Sequence, residues 1–260
     1  MKNIKAFVIA FILFLLTITG MKLLSFHGLP QYSLAYGTWI DSSKFTSNDG
    51  LKKLLEDKES IPVFGSSELR QSQKTGFHAD DIYKKGGLKP VFIGKGGHQS
   101  LFHSIVLGSL GDTLKNRKLV LSVSPQWFKT TGVRKDAFGD SYSESNFIAF
   151  LKNENISDPV KNYVIGRMKE LSEENPAMYE RIEEDVNWYY KKDGNIGDQV
   201  RAKVHSFLVS EKADTRLLLN MMWKDKFHEE KNVDSHRQID WNSYYKKAEK
   251  CFSVFNNYRR

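Results

Sequence analysis

Cysteine is almost missing from this chain of 260 residues. The single Cys251 excludes an intramolecular disulfide and any zinc site built from cysteines. If the protein works outside a cytoplasm, it does so without disulfide staples. The chain also lacks internal repeats and low-complexity tracts. Neither Walker A spacing nor a G-x-G-x-x-G fingerprint occurs, so the usual sequence grounds for a nucleotide site are absent. Negative charge is in deficit: 31 Asp and Glu stand against 39 Lys and Arg, a formal net charge of +8. What is present is 40% hydrophobic, 27% charged and 13% aromatic, a balance that excludes a wholly disordered chain and a polytopic membrane protein. The length suits one large domain or two small ones.

The first strong signal is Lys2-Asn3-Ile4-Lys5 followed by an apolar run. Ala6 to Met21 carries no charge, and Lys22-Leu23-Leu24-Ser25-Phe26 extends it. A helix from Ala6 to Phe26 would be about 32 Å long, close to the thickness of a bilayer core. Lys22 can snorkel to the interface, and Lys2 and Lys5 put the N-terminus on the cytoplasmic side. No small-x-small cleavage site stands out, so residues 1–26 are expected to be an uncleaved, single-pass transmembrane anchor. The bulk of the chain is then extracytoplasmic.

Residues 27–46 show no clear periodicity and read as a linker. Leu51 to Leu55 is a short amphipathic helix with Asn48 or Asp49 as its cap. Three apolar runs follow: Ile61-Pro62-Val63-Phe64, Pro90-Val91-Phe92-Ile93, and Lys118 to Ser124. They do not alternate, which suits strands buried on both faces of a parallel sheet. A helical stretch from Gln99 to Leu114 separates the second from the third. That order predicts an α/β layered core over 47–142. From Ser143 onward only helical patterns appear: Asp158 to Glu174, Ala177 to Lys192, Asp198 to Lys226, and Trp241 to Phe255. Trp188-Tyr189-Tyr190 and Met221-Met222-Trp223 read as helix-packing faces. Residues 143–260 are therefore expected to be a large helical insertion.

Each predicted strand ends on residues that can do chemistry. The first runs into Gly65-Ser66-Ser67-Glu68-Leu69, an apolar strand, a tight turn and a helix start. A serine there sits beside exposed backbone N–H groups that stabilise negative charge, which suits a nucleophile whose own amide helps hold an oxyanion. A plain Ser N-cap would leave the same pattern. The second strand ends in Gly94-Lys95-Gly96-Gly97-His98, where glycines can bring bare amides close to a substrate. The third ends in Ser124-Pro125-Gln126-Trp127-Phe128, where Gln126 can offer an amide donor. In an open α/β sheet, loops beyond the carboxyl ends of the strands converge on one crevice.

The order Gly-Ser-Ser-Glu-Leu, Gly-x-Gly-Gly, Ser-Pro-Gln-Trp-Phe, behind an N-terminal anchor, resembles the D-alanine transfer protein (DltD) family of Gram-positive bacteria. The resemblance implies a three-layer α/β fold of SGNH-hydrolase type on the outer face of the membrane, acting in D-alanylation of teichoic acids. It implies Ser67 as nucleophile, with Gly97 and Gln126 at oxyanion-hole positions. The partners it implies are the membrane, lipoteichoic acid, a D-alanyl carrier protein and a membrane-bound O-acyltransferase.

An activated serine needs a base, usually a histidine oriented by a carboxylate. In the family this pair comes from an Asp-x-x-His motif beyond a further strand. The present sequence shows neither, so a C-terminally truncated member lacking the C-terminal part of the sheet is expected. The string Asp225-Lys226-Phe227-His228 ends a helical pattern and reads as a chance match. His98 and His103 lie near the expected crevice but read as packing residues. No His/Asp/Glu cluster shows metal-ligand spacing, and no cofactor is expected. An outward-facing domain does not meet nucleic acid, so the positive charge points to anionic lipid or polyphosphate chains, or to solvated lysines. Two functions follow: a serine acyltransferase or thioesterase, and a non-catalytic membrane-tethered scaffold subunit.

Overall fold

The structure is a computed structural model that describes residues 2–70, 83, 86–128, 132–192, 194–224, 240, 242–243 and 245–250. It is a mixed α/β chain with a small parallel sheet and many helices.

The N-terminal apolar run forms helix α1, Lys2–Gly28. Its described apolar side chains face outward: Phe7 is 71% and Leu16 63% exposed. Among the described residues no helix is long and apolar enough to cross a membrane. Residues 27–46 are not a tether. They fold into α2 (Leu34–Thr38) and α3 (Ser42–Thr46), each capped by a side chain. Ser33 accepts from the Tyr36 amide at 3.1 Å, and Asp41 from the Ser43 amide at 2.8 Å. Tyr36 and Phe45 are buried in the core. Helices of five residues leave no periodic signal; caps and burial hold them, since so short a helix is not stable alone. Helix α4, Asn48–Leu54, starts from Ser47, whose Oγ accepts from the Gly50 amide at 2.8 Å, and not from Asn48 or Asp49.

The three expected strands exist as β1 (Ser60–Phe64), β2 (Lys89–Ile93) and β3 (Val120–Leu121). All pairings are parallel, in the order β2-β1-β3. Ser60 stands opposite Lys89 and Phe64 opposite Ile93. Pro62 sits in the central strand without an N–H to give, and pairing to β3 begins only at Val63. β3 differs from expectation. It is two residues long, and both are exposed. Like β2 it is an edge strand among the described residues, and its two residues are not covered on both faces by them.

Helix α5 (Ser100–Leu110) crosses the sheet and has two working faces. Phe102, Val106 and Leu110 join Phe64, Val91 and Ile93 in the sheet core. Ile105 points into a second core formed by the helices that follow. These are α6 (Lys135–Ser141), α7 (Glu144–Lys152), α8 (Asp158–Ser172), α9 (Pro176–Asp185) and α10 (Ile196–Trp223), with a π-helical turn at Val186–Lys191. Tyr189 is buried as a packing face, and so is Met221, but Met222 and Trp223 are exposed. The far end of α10 returns to the sheet: Leu217 and Met221 are fully buried in the first core. The helical part is thus not a separate body. Residues 242–243 and 245–250 are helical; the rest of the helix expected over 241–255 lies outside the described residues.

Candidate active site

The turns after β1 and β2 are fastened together. The Gly65 amide donates to Ile93 O at 3.1 Å. Gly94 adopts φ +138°, and a Cβ there would lie 1.9 Å from Gly65 O, so only glycine allows the two backbones to cross. His103, on α5, meets Gly65 O through Nε2 at 3.0 Å.

Of the two serines only one is left for chemistry. Ser66 is buried; its Oγ donates to Lys95 O at 3.3 Å and its amide donates to Glu68 Oε1 at 2.7 Å. Ser67 opens the 3-10 turn Ser67–Leu69 and is half-buried. Its Oγ has no hydrogen-bond partner among the described residues. The Gly94–Gly97 loop lies against it: a Cβ placed on Gly96 would sit 3.8 Å from Ser67 Cβ. The expected meeting of the serine turn with the glycine loop is therefore present, with Gly96 nearest the serine.

Gly97 is one residue further, at φ +89°, facing Ala137. Gln126 is exposed in the 3-10 turn Pro125–Trp127 that follows β3. It shares the carboxyl edge of the sheet with Ser67, since Val63 pairs with Val120 and the Ser122 amide donates to Phe64 O at 2.8 Å. No hydrogen bond among the described residues joins its side chain to Ser67. Trp127 beside it turns inward, with its ring 5.5 Å from that of His103.

The two histidines are committed to the fold. His98 Nδ1 accepts from the Lys95 amide at 3.2 Å, so its proton is on Nε2, which is buried without a partner among the described residues. Its ring lies 3.6 Å from that of Phe102. Burial first, then the charge of Lys95, push His98 down to about 3. Gly65 O can only accept, so His103 Nε2 carries the proton and donates. Burial also lowers His103, against that bond to Gly65. Both rings are neutral near pH 7, and each is anchored to backbone. The Asp225–His228 string lies outside the described residues.

A cavity of about 420 Å³ opens at the glycine loop, lined among others by Arg70, Lys95, Gly96, Gly97, Arg134, Asp136 and Asp140 but not by Ser67. Its lining mixes Arg70, Lys95 and Arg134 with Asp136 and Asp140, and Arg134 is paired to Asp136. Arg70 and Lys95 belong to the two strand-end turns and are visible in sequence, but Arg134 arrives from a distant loop. Elsewhere, the sequence shows no His/Asp/Glu cluster with metal-ligand spacing, but the fold brings one such group together. Glu144, Asp185 and His205 come together in the helical layer. They are too far apart in sequence to leave a linear motif.

The sequence profile described as DltD protein matches residues 37–253. Protein DltD of Bacillus subtilis (strain 168) is 36% identical over 118 residues, covering 45% of this chain and 30% of that protein. Protein DltD of Lacticaseibacillus rhamnosus is 26% identical over 164 residues, covering 58% and 38% respectively. Protein DltD of Staphylococcus aureus (strain NCTC 8325 / PS 47) is 31% identical over 117 residues, covering 45% and 30%. The matched part thus spans about a third of the length of these relatives. With the family profile covering most of the chain and the serine and glycine turns meeting at the ends of a parallel sheet, this protein belongs to the DltD family.

Proposed function

We propose that the protein acts in D-alanylation of teichoic acid, as a membrane-anchored, extracytoplasmic chain whose Ser67 carries the acyl group. The observation that carries this reading is the Ser67 hydroxyl, half-buried beside Gly96, while its neighbour Ser66 is spent on Lys95. In the proposed step, Oγ attacks the carbonyl carbon of a D-alanyl ester or thioester and gives its proton to a base. The C–O or C–S bond breaks, and the leaving alcohol or thiol takes up a proton. A lipoteichoic acid hydroxyl then takes the acyl group from Ser67. Splitting the transfer this way replaces one difficult step by two easier ones. Gly97 and Gln126 are the proposed oxyanion donors, and the sheet is proposed to be the N-terminal part of one of SGNH type. Arg70 and Lys95 suit a phosphate-bearing partner, which fits lipoteichoic acid and a D-alanyl carrier protein; a membrane-bound O-acyltransferase is the proposed neighbour in the bilayer. Anchoring is supported by the uncharged run Ala6–Met21 and the outward-facing apolar side chains of α1.

A second reading, a non-catalytic scaffold, is favoured by the two buried histidines, both neutral and both tied to backbone. A fluorophosphonate probe separates the two. Labelling of the chain that persists in Ser66→Ala and disappears in Ser67→Ala supports the acyl-transfer reading. Absence of labelling in a folded chain, or labelling unaffected by Ser67→Ala, overturns it.

A further inference from the structure

The helical layer contains a cluster of ligating side chains that the serine site does not use. Glu144 begins α7, Asp185 ends α9, and His205 lies on α10. One donor atom from each lies within 4.8 Å of the others. His205 Nε2 is 3.1 Å from Glu144 Oε1, and His205 Nδ1 is 3.9 Å from Asp185 Oδ1. Asp185 is fully buried, and its Oδ1 has no hydrogen-bond partner among the described residues; Glu144 Oε1 is buried with ion-pair contacts alone, to His205 at 3.1 Å and to Arg181 at 3.4 Å. An unpaired carboxylate oxygen away from water is costly, so such atoms call for a ligand.

The tautomer of His205 points the same way. Tyr189 donates its one hydroxyl proton to Ala202 O at 2.7 Å. At 3.0 Å from that hydroxyl, His205 Nδ1 must therefore be the donor. Nε2 faces Glu144 Oε1 at 3.1 Å. A histidine whose second ring nitrogen is held by a hydrogen bond is the usual arrangement of a metal ligand. Tyr142 steadies the other carboxylate, donating to Asp185 Oδ2 at 3.3 Å.

We propose that Glu144, Asp185 and His205 form a binding site for a divalent transition-metal ion of the zinc class. Two carboxylates and one imidazole match that class in donor type. Entry is through a cavity of about 440 Å³ lined by Glu144, His205, Arg181, Lys212 and Arg216 among others. Arg181 now reaches Glu144 at 3.4 Å and donates to His205 Nε2 at 3.3 Å. Its shorter bond, 2.7 Å, goes to Glu184 on the surface, so it can yield to a cation without losing its partner. A bound ion would staple α7, α9 and α10, and leave a coordination position open to the basic cavity.

The test is zinc and cobalt binding to the full chain, purified without a histidine tag and stripped by chelator. The expected result is one equivalent of Zn²⁺, a raised melting temperature, and visible d–d absorption on Co²⁺ loading. Glu144→Gln and His205→Gln should each weaken binding at least tenfold while the metal-free melting temperature stays near that of the parent. No binding of either ion, or binding that neither substitution changes, overturns the site. The serine probe reads a different place, so its result neither supports nor damages this inference.

Discussion

Asn146 is fully buried, and its groups are spent on four neighbours. Its Nδ2 donates to Phe45 O at 2.6 Å, and its Oδ1 accepts from Asn48 Nδ2 at 3.1 Å and from Ser109 Oγ at 3.2 Å. Its amide donates to Ser143 Oγ at 3.3 Å. One side chain therefore ties α7 to α3, α4 and α5. Asn146→Ala leaves Phe45 O unpaired in the interior and takes one acceptor from Asn48 Nδ2, which keeps its bond to Ser109 Oγ at 2.9 Å. The expected loss is about 2–4 kcal/mol, read from the urea midpoint at unchanged slope. A loss below about 0.5 kcal/mol would mean that water replaces the amide. Nothing in the sequence marks this residue, because a polar side chain inside an apolar helix face looks like a surface position until its partners arrive. Ser67 is the opposite case. Its local string was legible, because a strand, a glycine and a helix start are neighbours along the chain. That Ser66 rather than Ser67 holds Lys95 was visible only in the fold.

Strand pairing shows the same division at the level of elements. β1, β2 and α5 were legible as apolar runs bounded by glycine. The two short helices in 27–46 were not, since five residues cannot show a period of 3.6. The ends of β1 and β2 are clamped by Asp57 and Lys89, with Lys89 Nζ 2.9 Å from Asp57 Oδ2 and 2.8 Å from Glu59 Oε2. Partial burial pushes the Asp57 carboxyl up, but hydrogen bonds from Lys89 and the Glu59 amide outweigh it and hold the group below the usual carboxylate range. The sign follows. The unfolded chain binds this proton more readily, so the clamp contributes at neutral pH and fades as pH falls through the folded value. Asp57→Asn should lower the melting temperature at pH 7. The gap from the parent should close between about pH 5 and pH 2. A gap that is constant over that range would show that Asp57 acts through its hydrogen bonds to backbone alone.

For the whole molecule, α10 decides the architecture. It packs Ala202 into the helical core and Leu217 with Met221 into the sheet core. The helical region is thereby welded to the α/β part, and a sequence division near residue 143 does not correspond to a break between cores. The outer surface of α1 is the other large-scale feature. Its apolar side chains from Ile4 to Leu16 are exposed, an area that water tolerates poorly. The proposed anchoring predicts that the chain pellets with membranes and resists alkaline carbonate. Replacing Phe7, Phe11 and Phe14 by lysine should release it to the supernatant. Extraction of the parent chain by carbonate would overturn the anchor.

Local order was written in the residues themselves. Apolar runs, glycine stops and the Gly65-Ser66-Ser67 turn depend on neighbours a few positions apart, and short-range sterics and burial patterns carry that information. Tertiary structure alone decided which serine stays free, which helix joins the two cores, and that Glu144, Asp185 and His205 meet. Those outcomes depend on groups brought together across tens of residues, where side-chain spacing in sequence says nothing about distance in space.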